Sequence, residues 1–336
     1  MLKKLAGPLV FIAIFLAAGE GLSRVAARLV LNYDLEMTRY GLYMKEPSRD
    51  PLIGHVHQPN LSAHLMGVDL RTNSDGFRDH EYPIEKRGVH RVVFLGDSLT
   101  LGWGVDEDKT FKTLLERDWN RDPAQKLPVE VLNFGTGNYN TEQETHLFVE
   151  KGLKYNPDRA VMFYFINDAE VTPHRSKTWF LGYSYLFTYS WSGIRTLWGL
   201  VAHGKGYQNY YASLYTEANP GWPAERAAFR DLRDLCRDRG IQLQVVLLPE
   251  LHQLNPYPFT REHQMVARTL ADLGVSYLDL APAFAGERHP ERLWVSHDDA
   301  HPNAVAHQLI AADSRNYLLD LPFRDEGTTE KRAESR

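Results

Sequence analysis

A single cysteine, Cys236, in 336 residues excludes an intramolecular disulfide. Its surroundings, Arg230-Asp231-Leu232-Arg233-Asp234-Leu235, read as a helix, so the thiol is expected to behave as a small buried hydrophobe. A chain without disulfides suits the cytosol and is also compatible with a periplasm. There is little excess of either charge: 38 Lys and Arg stand against 43 Asp and Glu, for a formal charge of -5. Without a basic surplus, nothing points to a nucleic-acid partner. Internal repeats are also lacking. His55, His57 and His64 look metal-like at first, and His55 and His57 would share one face of a strand. No Cys, Asp or Glu of suitable spacing accompanies them, so they are read as surface polar residues.

Long apolar runs are scarce, and the one that stands out lies at the start. Lys3 and Lys4 precede an uninterrupted stretch from Leu5 to Ala18, and Glu20 closes it. That length falls short of the roughly 20 residues of a comfortable membrane span and suits a signal-peptide core of roughly 7–15. Ala17 and Gly19 would then be the small residues before a cleavage site. Leu22, Val25, Ala26, Leu29 and Val30 nevertheless continue at helical spacing, with Arg24 and Arg28 on another face. An uncleaved signal anchor running into an interfacial helix is therefore the preferred expectation, ahead of a cleaved signal peptide. Lys3 and Lys4 favour a cytoplasmic N-terminus, although Arg24 and Arg28 oppose them. On this reading the chain is membrane-anchored with the rest extracytoplasmic, periplasmic or outside, and secreted if the N-terminus is cleaved.

What the sequence does have is alternation. Residues 32–90 form an extension rich in turn signals, with a hairpin-like stretch at His64–Leu70. From Arg91 onward, apolar runs at Val92–Leu95, Val129–Phe134, Val161–Phe165, Leu243–Leu248 and Tyr277–Leu280 read as strands. Helical periodicity falls between and after them, at Thr110–Trp119, Thr141–Lys154, Ala224–Arg239, Glu262–Leu273 and Ala304–Leu319. Apolar strands alternating with helices predict an α/β, doubly wound, flavodoxin-like parallel sheet of about five strands. The expected organisation is an N-terminal segment 1–31, the extension 32–90, a domain 91–320 and a charged tail 321–336. Residues 169–222 interrupt the alternation with aromatics, including Trp179, Phe180, Tyr183, Tyr185, Phe187, Trp191, Trp198, Tyr207, Tyr210 and Tyr211. Extra packing helices are the plainer reading of this insertion, and a lid over a site is the sharper one.

Open parallel sheets bind ligands at the carboxyl ends of their strands. Three strands end on residues with a chemical use: Gly96-Asp97-Ser98-Leu99, Asn133-Phe134-Gly135-Thr136-Gly137 and Ile166-Asn167-Asp168. Far downstream, Asp298-Asp299-Ala300-His301-Pro302-Asn303 offers a carboxylate and an imidazole. Nucleophile, base and orienting acid are the parts of a serine hydrolase.

These four blocks, in this order, resemble those of the SGNH or GDSL hydrolase superfamily over roughly residues 91–320. Gly-Asp-Ser-Leu matches Gly96–Leu99, the second block's glycine maps onto Gly135, and Asp-x-x-His maps onto Asp298 and His301. The third block, Gly-x-Asn-Asp, maps onto Phe165–Asp168, so its glycine is replaced by Phe165. Arg71–Asp79 also looks like the lead-in of membrane-anchored bacterial members. The resemblance implies Ser98 as nucleophile, His301 as base and Asp298 as the orienting acid, with Asp299 the decoy. It also implies an oxyanion hole from the Ser98 and Gly135 amides and the Asn167 side chain, with no metal or cofactor required.

The expected function is a serine esterase cleaving an acyl ester, such as acetyl, on an extracytoplasmic substrate such as a cell-surface glycan. An O-acyltransferase of a cell-surface polysaccharide would use the same triad. A lipase or thioesterase, or an inactive glycan-binding module, are the further alternatives.

Overall fold

The computed structural model describes residues 2–171, 182–202 and 206–323. The expected charged tail from Arg324 onward, and Trp179, Phe180 and Leu181 of the insertion, lie outside them. The chain begins with one continuous helix, α1 (Leu2–Leu29), rather than a short apolar run followed by a second segment. Within it, Gly7–Leu29 is long and apolar enough to cross a membrane by length and composition.

Helix α2 (Tyr33–Tyr43) follows after three residues and is capped by the Asn32 side chain on the Leu35 amide. Two small antiparallel pairs come next. Strand β1 (Lys45–Pro47) pairs with β2 (His55–His57), and β3 (Ser62–Leu65) with β4 (Val68–Arg71). The second pair is the hairpin expected near His64–Leu70.

The body is a five-stranded parallel sheet. Its strands are β5 (His90–Gly96), β6 (Val129–Asn133), β7 (Arg159–Tyr164), β8 (Gln242–Leu247) and β9 (Ser276–Asp279), in the order β6-β5-β7-β8-β9. This is the doubly wound arrangement, and its strands alternate sides with a period of two. Val93, Leu95, Leu132, Met162 and Val245 face one layer, where α5 (Thr141–Leu147), α8 (Gly221–Arg239) and α9 (Thr260–Asp272) pack. Val92, Phe94, Val131, Phe163 and Val246 face the other, against α3 (Ser98–Leu101), α4 (Phe111–Arg121) and α11 (Ala304–Leu319).

The helix expected over Thr141–Lys154 keeps its α-helical form only to Leu147. It widens into a π turn and ends in a 3-10 turn at Tyr155. The insertion contributes α6 (Tyr185–Ala202) and α7 (Gly206–Leu214). The remaining elements are α10 (Ala281–Phe284) and the antiparallel pair β10 (Trp294–Ser296) and β11 (Asp299–Pro302). Cys236 is buried on α8, as its surroundings suggested.

Candidate active site

The chain turns sharply between β5 and α3. Gly96 makes the turn with φ +157, and a Cβ there would sit 2.0 Å from the Thr100 hydroxyl. Asp97 then caps α3, its carboxylate accepting the Leu99 amide at 2.8 Å. Ser98 is the first residue of α3. A first-turn amide has no intrahelical acceptor, and the Ser98 N–H has none among the described residues. Its hydroxyl lies 2.8 Å from His301 Nε2, although 203 residues separate them in sequence.

His301 sits on β11, and its other ring nitrogen donates to Asp299 Oδ1 at 2.5 Å. This corrects the expectation for Asp298. In an extended strand, residues two apart share a face and their neighbours point away. Asp299 and His301 therefore point together. Asp298 instead accepts from the Ser296 hydroxyl at 2.5 Å and the Tyr33 amide at 3.0 Å. Asp299 is buried, and Trp103 Nε1 donates to its second oxygen at 2.9 Å. Burial alone would lower the His301 pKa, but the charge and hydrogen bond of Asp299 outweigh it and hold the imidazole above the ordinary histidine value. The same pairing overcomes the burial of Asp299 and holds its carboxyl below the usual range.

The three expected oxyanion donors fare differently. The Ser98 amide is free. The Asn167 side chain, at the carboxyl end of β7, hydrogen-bonds Asp97, and an amide NH2 has a second proton to give. The Gly135 amide donates to Asn133 Oδ1 at 2.9 Å. Gly135 also matters for closeness: a Cβ would fall 2.1 Å from the Leu101 amide, inside α3.

Two residues on, Gly137 is gripped from the N-terminal extension. Its N–H donates to the Tyr40 hydroxyl at 2.8 Å, and its carbonyl accepts from Lys45 Nζ at 2.6 Å and lies 3.1 Å from His55 Nε2. His57 is buried, between the Tyr40 hydroxyl at 2.6 Å and the Gly76 carbonyl at 3.1 Å. His57 is thus an interior hydrogen-bonding group and His55 a half-buried one, not the surface residues that their polarity suggested. Burial lowers Lys45 to about 7 and both histidines to about 3. Among the described residues, no group of three or more His, Cys, Asp or Glu is arranged to hold a metal.

Beside the serine and imidazole opens a cleft of about 220 Å³, walled by Tyr33, Leu99, Phe165, Tyr211, Leu251 and His252. Phe165 therefore brings a ring to the position where the resembling block has glycine. His252 hydrogen-bonds the buried Glu250. Burial lowers its pKa, and Glu250 more than restores it. Tyr33, Trp103, Glu250 and His252 were not anticipated. None lies in a recognisable motif, and only the fold brings them to the cleft.

Residues 94–309 match the model of the GDSL-like lipase/acylhydrolase family.

The chain belongs to that family.

This GDSL-type hydrolase is accordingly an enzyme acting on ester bonds. Its fold is similar to that of LAE5, an alpha/beta hydrolase from the metagenome of Lake Arreo, at 17% identity and a TM-score of 0.46, covering 70% of this chain and 98% of that one. It is also similar to TesA (11%, TM-score 0.44, 68% and 98% covered). The acetyl xylan esterase AlAXEase is a third such structure (16%, TM-score 0.42, 68% and 99% covered). No curated protein matches the sequence.

Proposed function

We propose that this GDSL hydrolase is a serine esterase working through Ser98, His301 and Asp299. The observation that carries the reading is the continuous chain of hydrogen bonds from the Ser98 hydroxyl through His301 to Asp299. His301, neutral and with Nδ1–H on Asp299, takes the Ser98 proton as Oγ attacks the acyl carbonyl. The Ser98 amide and Asn167 receive the developing oxyanion. The tetrahedral intermediate collapses as His301 protonates the leaving alcohol. Water activated by the same imidazole then releases the acid and frees Ser98.

His252 stands across the cleft on its own carboxylate and is suited to contact the leaving alcohol. The small cleft favours a short acyl group such as acetyl. We place the catalytic body outside the cytoplasm, anchored by α1, where a cell-surface glycan is the available kind of alcohol. The organisation that goes with this is an anchor over 1–31, an extension over 32–90, a hydrolase domain over 91–320 and a tail from 321.

The test is hydrolysis of p-nitrophenyl acetate and fluorophosphonate labelling by the full chain and by Ser98→Ala. Both are expected in the parent and neither in the variant. A folded parent that neither turns over nor labels overturns the reading. Formation of an acylated glycan in place of free acid, when a glycan is supplied, makes the enzyme an O-acyltransferase with the same residues.

A further inference from the structure

Ser98 and His301 come from segments 203 residues apart, and only the first of them is placed by the parallel sheet. Ser98 opens α3 directly behind β5. Asp299 and His301 lie on β11, which pairs with β10 in a separate two-stranded ladder. Strand register in the sheet therefore does not set the distance between the serine and the imidazole.

Trp103 touches both segments. Its backbone N–H donates to the Ser98 carbonyl at 3.1 Å, and its indole Nε1–H donates to Asp299 Oδ2 at 2.9 Å. Asp299 Oδ1 meanwhile accepts the backbone N–H and the Nδ1–H of His301 at 3.0 and 2.5 Å. The indole thus takes the oxygen that the imidazole leaves. A carboxylate held through both oxygens cannot turn about its last bond without breaking a hydrogen bond.

The indole is itself fixed from several sides. Trp103 is 1% exposed, and the Tyr40 ring stands edge-on to it at 5.3 Å. Arg78, from the extension, donates to the Leu101, Gly102 and Val105 carbonyls on either side of it. Its two neighbours are glycines in the left-handed region, Gly102 at φ +77 and Gly104 at φ +70. A Cβ on Gly104 would lie 2.4 Å from the side chain of Val295, on β10. The loop that carries Trp103 therefore rests on the strand that pairs with β11. Any buried indole needs an acceptor for its N–H. Here the acceptor is the acid that orients His301, and the main chain of the same residue is bonded to Ser98.

We infer that Trp103 is a positioning residue for ester cleavage: its indole N–H fixes Asp299 at the distance from Ser98 that His301 has to bridge. The inference rests on the serine-esterase reading above and adds a residue that acts through Asp299, not on the substrate. It has a consequence with a definite sign. A carboxylate that loses a hydrogen-bond donor becomes more basic and holds a neighbouring imidazolium more firmly. Deleting the indole N–H therefore raises the pH at which His301 becomes a base, whereas deleting the Asp299 charge lowers it. Besides Asp299, the titratable groups whose charge His301 feels are Asp97 at the head of α3, His252 across the cleft and His307 on α11. All three stay in place when Trp103 is changed.

The experiment compares the full chain in detergent micelles with Trp103→Phe, which keeps an aromatic ring in the buried site and removes the N–H. For p-nitrophenyl acetate, kcat is expected to fall about tenfold with KM within about twofold. The midpoint of the kcat/KM profile is expected to rise by about half a pH unit. In an Asp299→Asn background the same substitution is expected to leave the midpoint where it is. An unmoved or lowered midpoint in the single variant, or an equal rise in the Asp299→Asn background, overturns the inference and makes Trp103 a packing residue. Should Trp103→Phe fail to fold, isotope labelling of the tryptophan indoles in the parent decides by NMR. The indole N–H signal that Asp299→Asn displaces is expected to titrate in the parent with the kcat/KM midpoint, and a signal that does not titrate overturns the inference. A folded parent that neither turns over nor labels with fluorophosphonate overturns the esterase reading and this inference with it. An active parent with an unmoved Trp103→Phe midpoint overturns this inference alone.

Discussion

The sheet and the N-terminal extension build the same site by different means. At the sheet edge, Ser98 and Asn167 occupy the ends of adjacent parallel strands, and their places follow from strand register. The extension has no such frame. It reaches the site through individual side chains: Tyr33 on the cleft wall, Tyr40 and Lys45 on Gly137, and Arg78 on α3. Arg78 Nη1 donates to the Leu101 and Gly102 carbonyls at 3.0 and 2.6 Å, and Nη2 to the Val105 carbonyl at 2.7 Å. A strand end needs only a parallel neighbour to be placed. A gripping side chain needs a buried partner already in position, and its loss leaves that partner's polar group unsatisfied in the interior.

The sharpest way to break this comparison is at the start of β11, outside the parallel sheet, where neighbouring aspartates have opposite orientations. Asp299→Asn is expected to lower kcat for p-nitrophenyl acetate by roughly 10⁴-fold, since the amide favours the wrong imidazole tautomer. Asp298→Asn should cost about tenfold at most, through Tyr33. The reverse order would restore Asp298 as the orienting acid.

The extension's largest effect is expected on stability. Asp79 accepts the Asn133 amide at 2.9 Å and is paired with Lys112 at 3.0 Å, both side chains being buried. Lys112→Met, which removes the buried cation from Asp79 and leaves it only the exposed His80 as an ion-pair partner, should cost about 3–5 kcal/mol in chemical denaturation. Burial would raise the Asp79 pKa, but Lys112 and its other partners hold it below the usual value. Its contribution is therefore fully present above the unfolded value of about 3.9 and is lost as pH falls through the lower folded value. The variant should accordingly lose part of that acid dependence.

A gentler perturbation is Tyr40→Phe. It leaves the Gly137 amide without its acceptor and should cost about 1–3 kcal/mol by thermal or chemical melting, with little change in fold. An unchanged melting curve would mean that the loop holds itself.

The smallest effects sharpen the picture at the cleft. The kcat/KM profile should rise with pH through a midpoint above about 6.5, because the proposed mechanism uses neutral His301 as the base and Asp299 raises its pKa. Removing that charge in Asp299→Asn should move the midpoint down. His252→Ala should raise KM by roughly threefold to tenfold while kcat changes less, if His252 contacts the alcohol.

Much of the sheet could be read from the chain because apolar strands and amphipathic helices carry their periods in contiguous residues. Ser98 and His301 were legible for a related reason, each lying in a short motif at an element end. Asp299 was not, because a spacing of two or three acquires meaning only once β11 is known to be extended. Gly135 marked a loop where the backbone passes too close to α3 for any side chain. His55 and His57 were misjudged because their burial depends on Tyr40 and Gly137, neither of which is near them in sequence.

The family match begins at Phe94, while Tyr33, Tyr40, Lys45, Arg78 and Asp79 all precede it. The portable part of this enzyme is therefore larger than its recognisable part. A fragment cut at the start of the match would keep Ser98, Asp299 and His301. It would also strip Gly137 and the end of α3 of the groups that hold them, exposing Leu101 and Trp103 to water. Grafts, truncations and chimaeras of this chain are best joined upstream of Tyr33.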